Sequence, residues 1–227
     1  MVLLQKFVST KQVLWVSLFT LSLGGWPAAK AYAANGNNQA GGQACHILVV
    51  GDSLSAAYGL PVEQGWVALM ERRLKEKFPR CTLTNASISG ETTAGGKTRL
   101  PALLKQHKPT QVVLELGAND GLRGLPIETM KNNLSSMIDM ARNAQAKTVL
   151  VGMQIPPNYG PAYSRRFGEA FTELAKQHRV PLVPFLLNGF AQNPDAFQAD
   201  GIHPNAAQQP RMLDNVWAAL EGTIKTR

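Results

Sequence analysis

A few polar side chains in this chain sit in glycine-rich stretches, and their types define one possible chemistry. Ser53 stands in Gly51-Asp52-Ser53-Leu54. A serine hydroxyl is a weak nucleophile at neutral pH, so it needs a base for its proton and a third group to hold that base. His203, in Asp200-Gly201-Ile202-His203-Pro204-Asn205, is the only one of four histidines in a polar loop beyond a strand. His46 falls at a strand start, and His107 and His178 fall at helix ends, where surface or capping roles are expected. Asp200 precedes His203 by three residues, so one turn of helix or a tight loop is expected to bring its carboxylate to the imidazole Nδ1–H and set the tautomer. Acyl transfer also needs donors aimed at a developing oxyanion. The Ser53 N–H, the Gly90 N–H and the Asn119 amide are the candidates. Asp52 and Asp120 are expected to hold loops by hydrogen bonds rather than act on substrate.

These residues need a frame that brings distant loops to one rim. Short β-type runs cover 46–50, 82–88, 111–116, 148–153 and 181–184. Between them apolar residues recur at helical spacing. Trp66, Met70, Leu74 and Phe78 form one stripe. Met130, Leu134, Met137, Ile138 and Ala141 form a second, and Phe167, Phe171, Leu174 and Ala175 a third. Strands alternating with helices argue for a parallel sheet covered on both faces. The strand cores, such as Val112-Val113-Leu114, are continuous apolar runs, as buried parallel strands should be. The expected fold is a three-layer α/β/α, flavodoxin-like sandwich with five parallel strands in the order 2-1-3-4-5. Ligands then bind beyond the carboxyl ends of the strands, where every candidate above lies. In that order Cys45 and Cys81 begin neighbouring parallel strands at the opposite end of the sheet. A Cys45–Cys81 disulfide is expected; two unpaired thiols are the alternative.

The amino terminus carries an address rather than fold. Lys6 and Lys11 precede an apolar run from Val13 to Leu23, and Ala31-Tyr32-Ala33 is a small-x-small cleavage pattern. Residues 1–33 are read as a signal peptide, with periplasmic or secreted localisation. A membrane anchor is the alternative, but Gly24, Gly25 and Pro27 interrupt the run. Residues 34–44 are rich in Asn, Gly and Gln and read as a flexible leader. Residues 45–227 form one domain. Cleavage leaves 194 of 227 residues and removes Lys6, Lys11 and Lys30, so the formal net charge falls by three from +8 to +5. The basic cluster from Arg72 to Arg80 alternates with Glu71 and Glu76 and reads as a solvated helix face. It lacks the interleaved aromatics of a nucleic-acid surface. Two cysteines are too few for a common zinc site.

Gly95-Gly96-Lys97-Thr98 has the end of a phosphate-binding loop, but Glu91 occupies the position of its required first glycine. An acidic residue there repels phosphate.

The blocks around Gly51-Asp52-Ser53-Leu54, Gly90, Gly117-Ala118-Asn119-Asp120 and Asp200–His203 occur in the order and spacing of the SGNH (GDSL) hydrolases. The chain resembles that family over nearly its whole mature length. Runs such as Asn-Ala-Ser-Ile-Ser-Gly, Asn-Asp-Gly-Leu-Arg-Gly and Pro-Asn-Tyr-Gly are similar to its bacterial periplasmic thioesterase, lysophospholipase and arylesterase branch. The resemblance implies Ser53 as nucleophile, His203 as base then acid, Asp200 as its orienter, and an oxyanion hole of Ser53, Gly90 and Asn119. It departs mildly at Ala118, where glycine is common, and at Glu91, where aspartate is common. Leu122, Leu125, Ile155, Pro156, Pro157, Tyr159, Pro161 and Tyr163 are candidates to line an acyl site, or else pack against their own loops. Their apolar character suits an acyl chain better than a sugar. The expected substrate is a small acyl ester or lipid, cleaved without cofactor or metal by a monomer that has no stable membrane insertion. A carbohydrate or peptidoglycan O-deacetylase is the alternative; a noncatalytic binding module has no need of all four polar groups.

Overall fold

The computed structural model describes residues 45–224. The expected signal peptide and leader lie outside them. Five parallel strands form one sheet in the order β2-β1-β3-β4-β5. They are β1 (His46–Gly51), β2 (Thr82–Asn85), β3 (Gln111–Glu115), β4 (Lys147–Val151) and β5 (Leu182–Val183). The helices are α1 (Trp66–Lys77), α2 (Thr93–His107), α3 (Ala118–Leu122), α4 (Ile127–Asn143), α5 (Pro161–His178) and α6 (Gln209–Leu220). Among the described residues no helix is long and apolar enough to cross a membrane.

Burial explains which segments became central strands. All five residues of β3 are buried, and so is β1 beyond His46. Both are covered on two faces, so a continuous apolar run is the stable choice. The helical stripes also bury as their spacing requires: Trp66, Met70, Leu134, Met137, Phe167 and Phe171 are all buried. Gly96, from the phosphate-loop decoy, lies within α2 where a Cβ would sit 2.3 Å from Leu116. That glycine serves close packing of helix on sheet. The basic face of α1 is ion-paired at its surface, through Arg73–Asp214 at 2.8 Å and Lys77–Glu221 at 3.1 Å.

Four strands are shorter than the sequence patterns imply, β3 and β4 by a single residue and β2 and β5 by more. β2 stops at Asn85 because the Asn85 side chain accepts the Ser87 N–H at 3.1 Å and turns the chain. The path still follows β1, with Ile88 N–H bonded to Gly51 O at 3.0 Å. β5 has two residues because Pro181 and Pro184 flank it and have no N–H to donate. Cys45 and Cys81 are joined as a disulfide with Cα atoms 4.5 Å apart, at the amino ends of the β1–β2 pair. His178 is not a surface residue: its side chain is 6% exposed, and its Nε2 pairs with the Ser135 hydroxyl at 2.8 Å.

Candidate active site

The carboxyl ends of β1, β2 and β3 and the loop after β5 converge on one cavity. After β1 the chain does not enter a helix at once. Residues 53–59 form consecutive turns, with Ala56 N–H on Asp52 O and Tyr58 N–H on Ser53 O, and α1 begins only at Trp66. The turn is clamped from below, since Trp66 Nε1 donates to Leu54 O at 3.1 Å. Ser53 is thus presented by a braced turn, not by the first turn of a helix.

The histidine arrives from a loop folded on itself. Phe197 bridges Pro204 in antiparallel fashion, and Gln198 N–H bonds His203 O at 2.8 Å. Asp200 Oδ1 accepts the N–H groups of Ile202 and His203 at 2.9 and 3.0 Å. Its Oδ2 lies 2.7 Å from His203 Nδ1, and His203 Nε2 lies 2.9 Å from Ser53 Oγ. The His203 backbone N–H is the largest of the bonds that hold the Asp200 carboxyl down at about 2. A carboxylate that accepts several donors keeps its charge even in acid.

Gly90 and Asn119 face the same cavity. Gly90 has φ +78°, a backbone conformation in which a side chain is strained. The backbone N–H groups of Ser53 and Gly90 have no protein acceptor among the described residues. Asn119 Nδ2 donates to Asp52 Oδ2 at 3.1 Å and to Glu91 O at 3.0 Å. Asp52 is buried, and desolvation raises its carboxyl to about 6 against the bonds from Leu54 and Asn119. Asp120 points away from the cavity and accepts the N–H and hydroxyl of Thr93 at 2.9 and 2.5 Å. Glu91 pairs with Arg99 at 2.6 Å, which fixes the loop that carries Gly90.

Over residues 49–209 the sequence matches the GDSL-like Lipase/Acylhydrolase family. The chain belongs to that family. It is 52% identical over 175 residues to "Esterase TesA" of Pseudomonas aeruginosa, covering 77% of this chain and 87% of the relative. It is 41% identical over 175 residues to "Thioesterase 1/protease 1/lysophospholipase L1" of Escherichia coli K12, covering 77% and 82%. The psychrotrophic esterase EstA of a Pseudoalteromonas species, inhibited by monoethylphosphonate, superimposes with a TM-score of 0.74. It is 44% identical, with 78% of this chain and 97% of that one covered.

The cavity of this GDSL-family site has a volume of about 1140 Å³. Of the residues expected to wall an acyl site, Leu122, Ile155 and Pro156 line this cavity. Tyr159 does not: it braces the neighbouring loop instead, its hydroxyl donating to Leu122 O at 3.1 Å. Tyr163 does the same to Leu125 O at 2.9 Å. Phenol hydroxyls so placed satisfy loop carbonyls rather than a ligand. The opposite wall, with Phe185, Leu187 and Phe197, escapes a reading confined to the loops after β3 and β4. Its signal is the apolar run Phe185-Leu186-Leu187 just past β5, on the ligand side of the sheet. Tyr58 was also missed; its ring lies 4.5 Å from that of His203 and 52% of it is exposed.

Proposed function

We propose that this chain is an exported serine hydrolase of acyl esters and thioesters that works through an acyl-enzyme. The observation that carries the reading is the continuous path from Ser53 Oγ through His203 to Asp200, at 2.9 and 2.7 Å. The Ser53 hydroxyl attacks the carbonyl carbon and passes its proton to His203 Nε2. The Ser53 and Gly90 N–H groups, with the Asn119 amide, receive the negative charge that develops on the carbonyl oxygen. Asn119 does this by sharing the hydrogen now on Glu91 O, while Asp52 keeps the other. Collapse of the tetrahedral adduct breaks the bond to the alcohol or thiol, which leaves with the proton from His203. Water then attacks the acyl-Ser53 ester by the same route in reverse.

The wall chemistry bears on substrate class. An apolar cavity of this volume exceeds what an acetyl group fills, which favours longer acyl esters, lysophospholipids, aryl esters and acyl-CoA over a deacetylase substrate. The Cys45–Cys81 disulfide supports an oxidising compartment, in keeping with the amino-terminal signal pattern. Every group of the site comes from one chain, so a monomer suffices. The test is hydrolysis of p-nitrophenyl esters from acetyl to palmitoyl by the mature chain beside Ser53→Ala. Turnover that falls by about 10³-fold or more in the variant is expected, with medium or long chains preferred. Activity that survives in Ser53→Ala, or turnover confined to acetyl esters, overturns the reading.

A further inference from the structure

A buried carboxyl lies directly beneath the nucleophile turn, and the acyl-transfer steps do not use it. Glu115 is the last residue of β3 and is wholly buried. Its Oε2 accepts the Ser55 hydroxyl at 2.6 Å and faces the Asp52 N–H at 3.4 Å. Its Oε1 is also buried and has no hydrogen-bond partner among the described residues. Gly51 makes the room for it: a Cβ there would lie 2.8 Å from Glu115 Oε2 and 2.6 Å from the Ser55 hydroxyl oxygen. The carboxyl therefore packs against the backbone before Ser53, at Gly51 and Asp52, and against the Ser55 side chain after it.

Its surroundings do not suit a carboxylate. Among the described residues Glu115 has no ion pair with a Lys, Arg or His nitrogen. A buried charge with an unpartnered oxygen carries a large desolvation penalty. The titratable group that faces it is Asp52, from the turn after β1, and Asp52 in turn faces His203 and Asp120. Two adjacent buried carboxyls do not both ionise readily. Asp52 is the better placed of the two to hold the charge, since it accepts the Leu54 N–H at 3.0 Å and the Asn119 amide at 3.1 Å. Desolvation, and then the Asp52 charge, push Glu115 well above the usual carboxyl range.

Taking Ser53 as the nucleophile, we propose that Glu115 is a positioning residue that works as a neutral acid. It props the turn that carries Ser53 through Ser55 and the Asp52 N–H. By staying uncharged it leaves Asp52 as the carboxylate that grips Asn119.

Glu115→Gln keeps a neutral group of nearly the same shape, whereas Glu115→Ala removes the prop. In the mature enzyme, kcat for Glu115→Ala is expected to fall about 10- to 100-fold with KM little changed, as for a misplaced nucleophile or hole. Glu115→Gln is expected to restore kcat to within about threefold of the parent, with the acid limb of its pH profile in place. A Gln variant as slow as the Ala variant, or one with a displaced acid limb, overturns the neutral state. An Ala variant with parental kcat overturns the positioning role. Infrared spectroscopy reads the charge state without catalysis, and so separates failure of this inference from failure of the hydrolase reading. The carbonyl stretch of a protonated carboxyl is expected at pH 7.5 and should shift in Ser55→Ala, which loses the hydroxyl donor. Its absence, or indifference to Ser55→Ala, overturns the proposal even where the Glu115 variants fail to fold.

Discussion

Two aspartates flank the same serine and histidine, yet their environments oppose each other. Asp200 sits on an exposed loop, its side chain 37% exposed, and accepts two backbone N–H groups beside the imidazole. Its carboxyl is held down to about 2. Asp52 is buried at the end of β1 next to Glu115, and its carboxyl is raised to about 6. Residue type does not explain the difference. Donor count and solvent access do: the first favours the charged form and the loss of the second opposes it. One acid keeps its charge wherever the protein folds. The other holds its charge only by virtue of the network around it.

Removing each charge separately tests that contrast. The largest effect is expected at Asp200→Asn, where the imidazole loses both its orienting carboxylate and the preferred tautomer. There kcat is expected to fall about 10³- to 10⁴-fold with KM nearly constant. A loss below about tenfold would mean that another group orients His203. Asp52→Asn is expected to do less, about 10- to 100-fold in kcat, because it frees Asn119 without removing a donor from the proposed oxyanion site. Loss expressed in KM alone would remove Asp52 from this role.

The smallest effect is in stability, where the two acids act with opposite sign. The folded carboxyl of Asp52 lies above its ordinary value of 3.8. Its contribution is therefore full at low pH and is lost as pH rises through about 6. The folded carboxyl of Asp200 lies below 3.8, so its contribution is present above about 4 and is lost as pH falls towards 2. Denaturant titrations of each Asn variant against the parent, from pH 3 to 7, measure both. The parent's advantage over Asp52→Asn should shrink as pH rises, and its advantage over Asp200→Asn should shrink as pH falls. Parallel curves would show that the environments do not differ as described.

Much of this was legible before folding. Asp200 and His203 are three residues apart, so local geometry alone brings them together. The stripes on α1, α4 and α5 follow from the period of the helix, and all of their residues bury except Phe78, which caps α1 and is half-buried. The strand order places Ser53, Gly90 and Asn119 at one rim because parallel strands share a direction. The wall from Phe185 to Phe197 was harder, since an apolar run past a two-residue strand looks like core. Tyr159 misled for a related reason: an aromatic in a strand-end loop reads as a ligand wall until its hydroxyl is seen on Leu122 O.

The sequence by itself determined the alternation of strands and helices and the three-residue spacing that sets Asp200 beside His203, the proposed base. Those follow from local spacing and from periodicities of the backbone, which act over a few residues. Only the tertiary structure decided which carboxyls keep their charge, which loops wall the cavity, and that Gly51 leaves space for Glu115. Those outcomes depend on desolvation and on contacts between residues far apart in the chain, such as Asp52 and Asn119 at a separation of 67, and no short window of sequence records them.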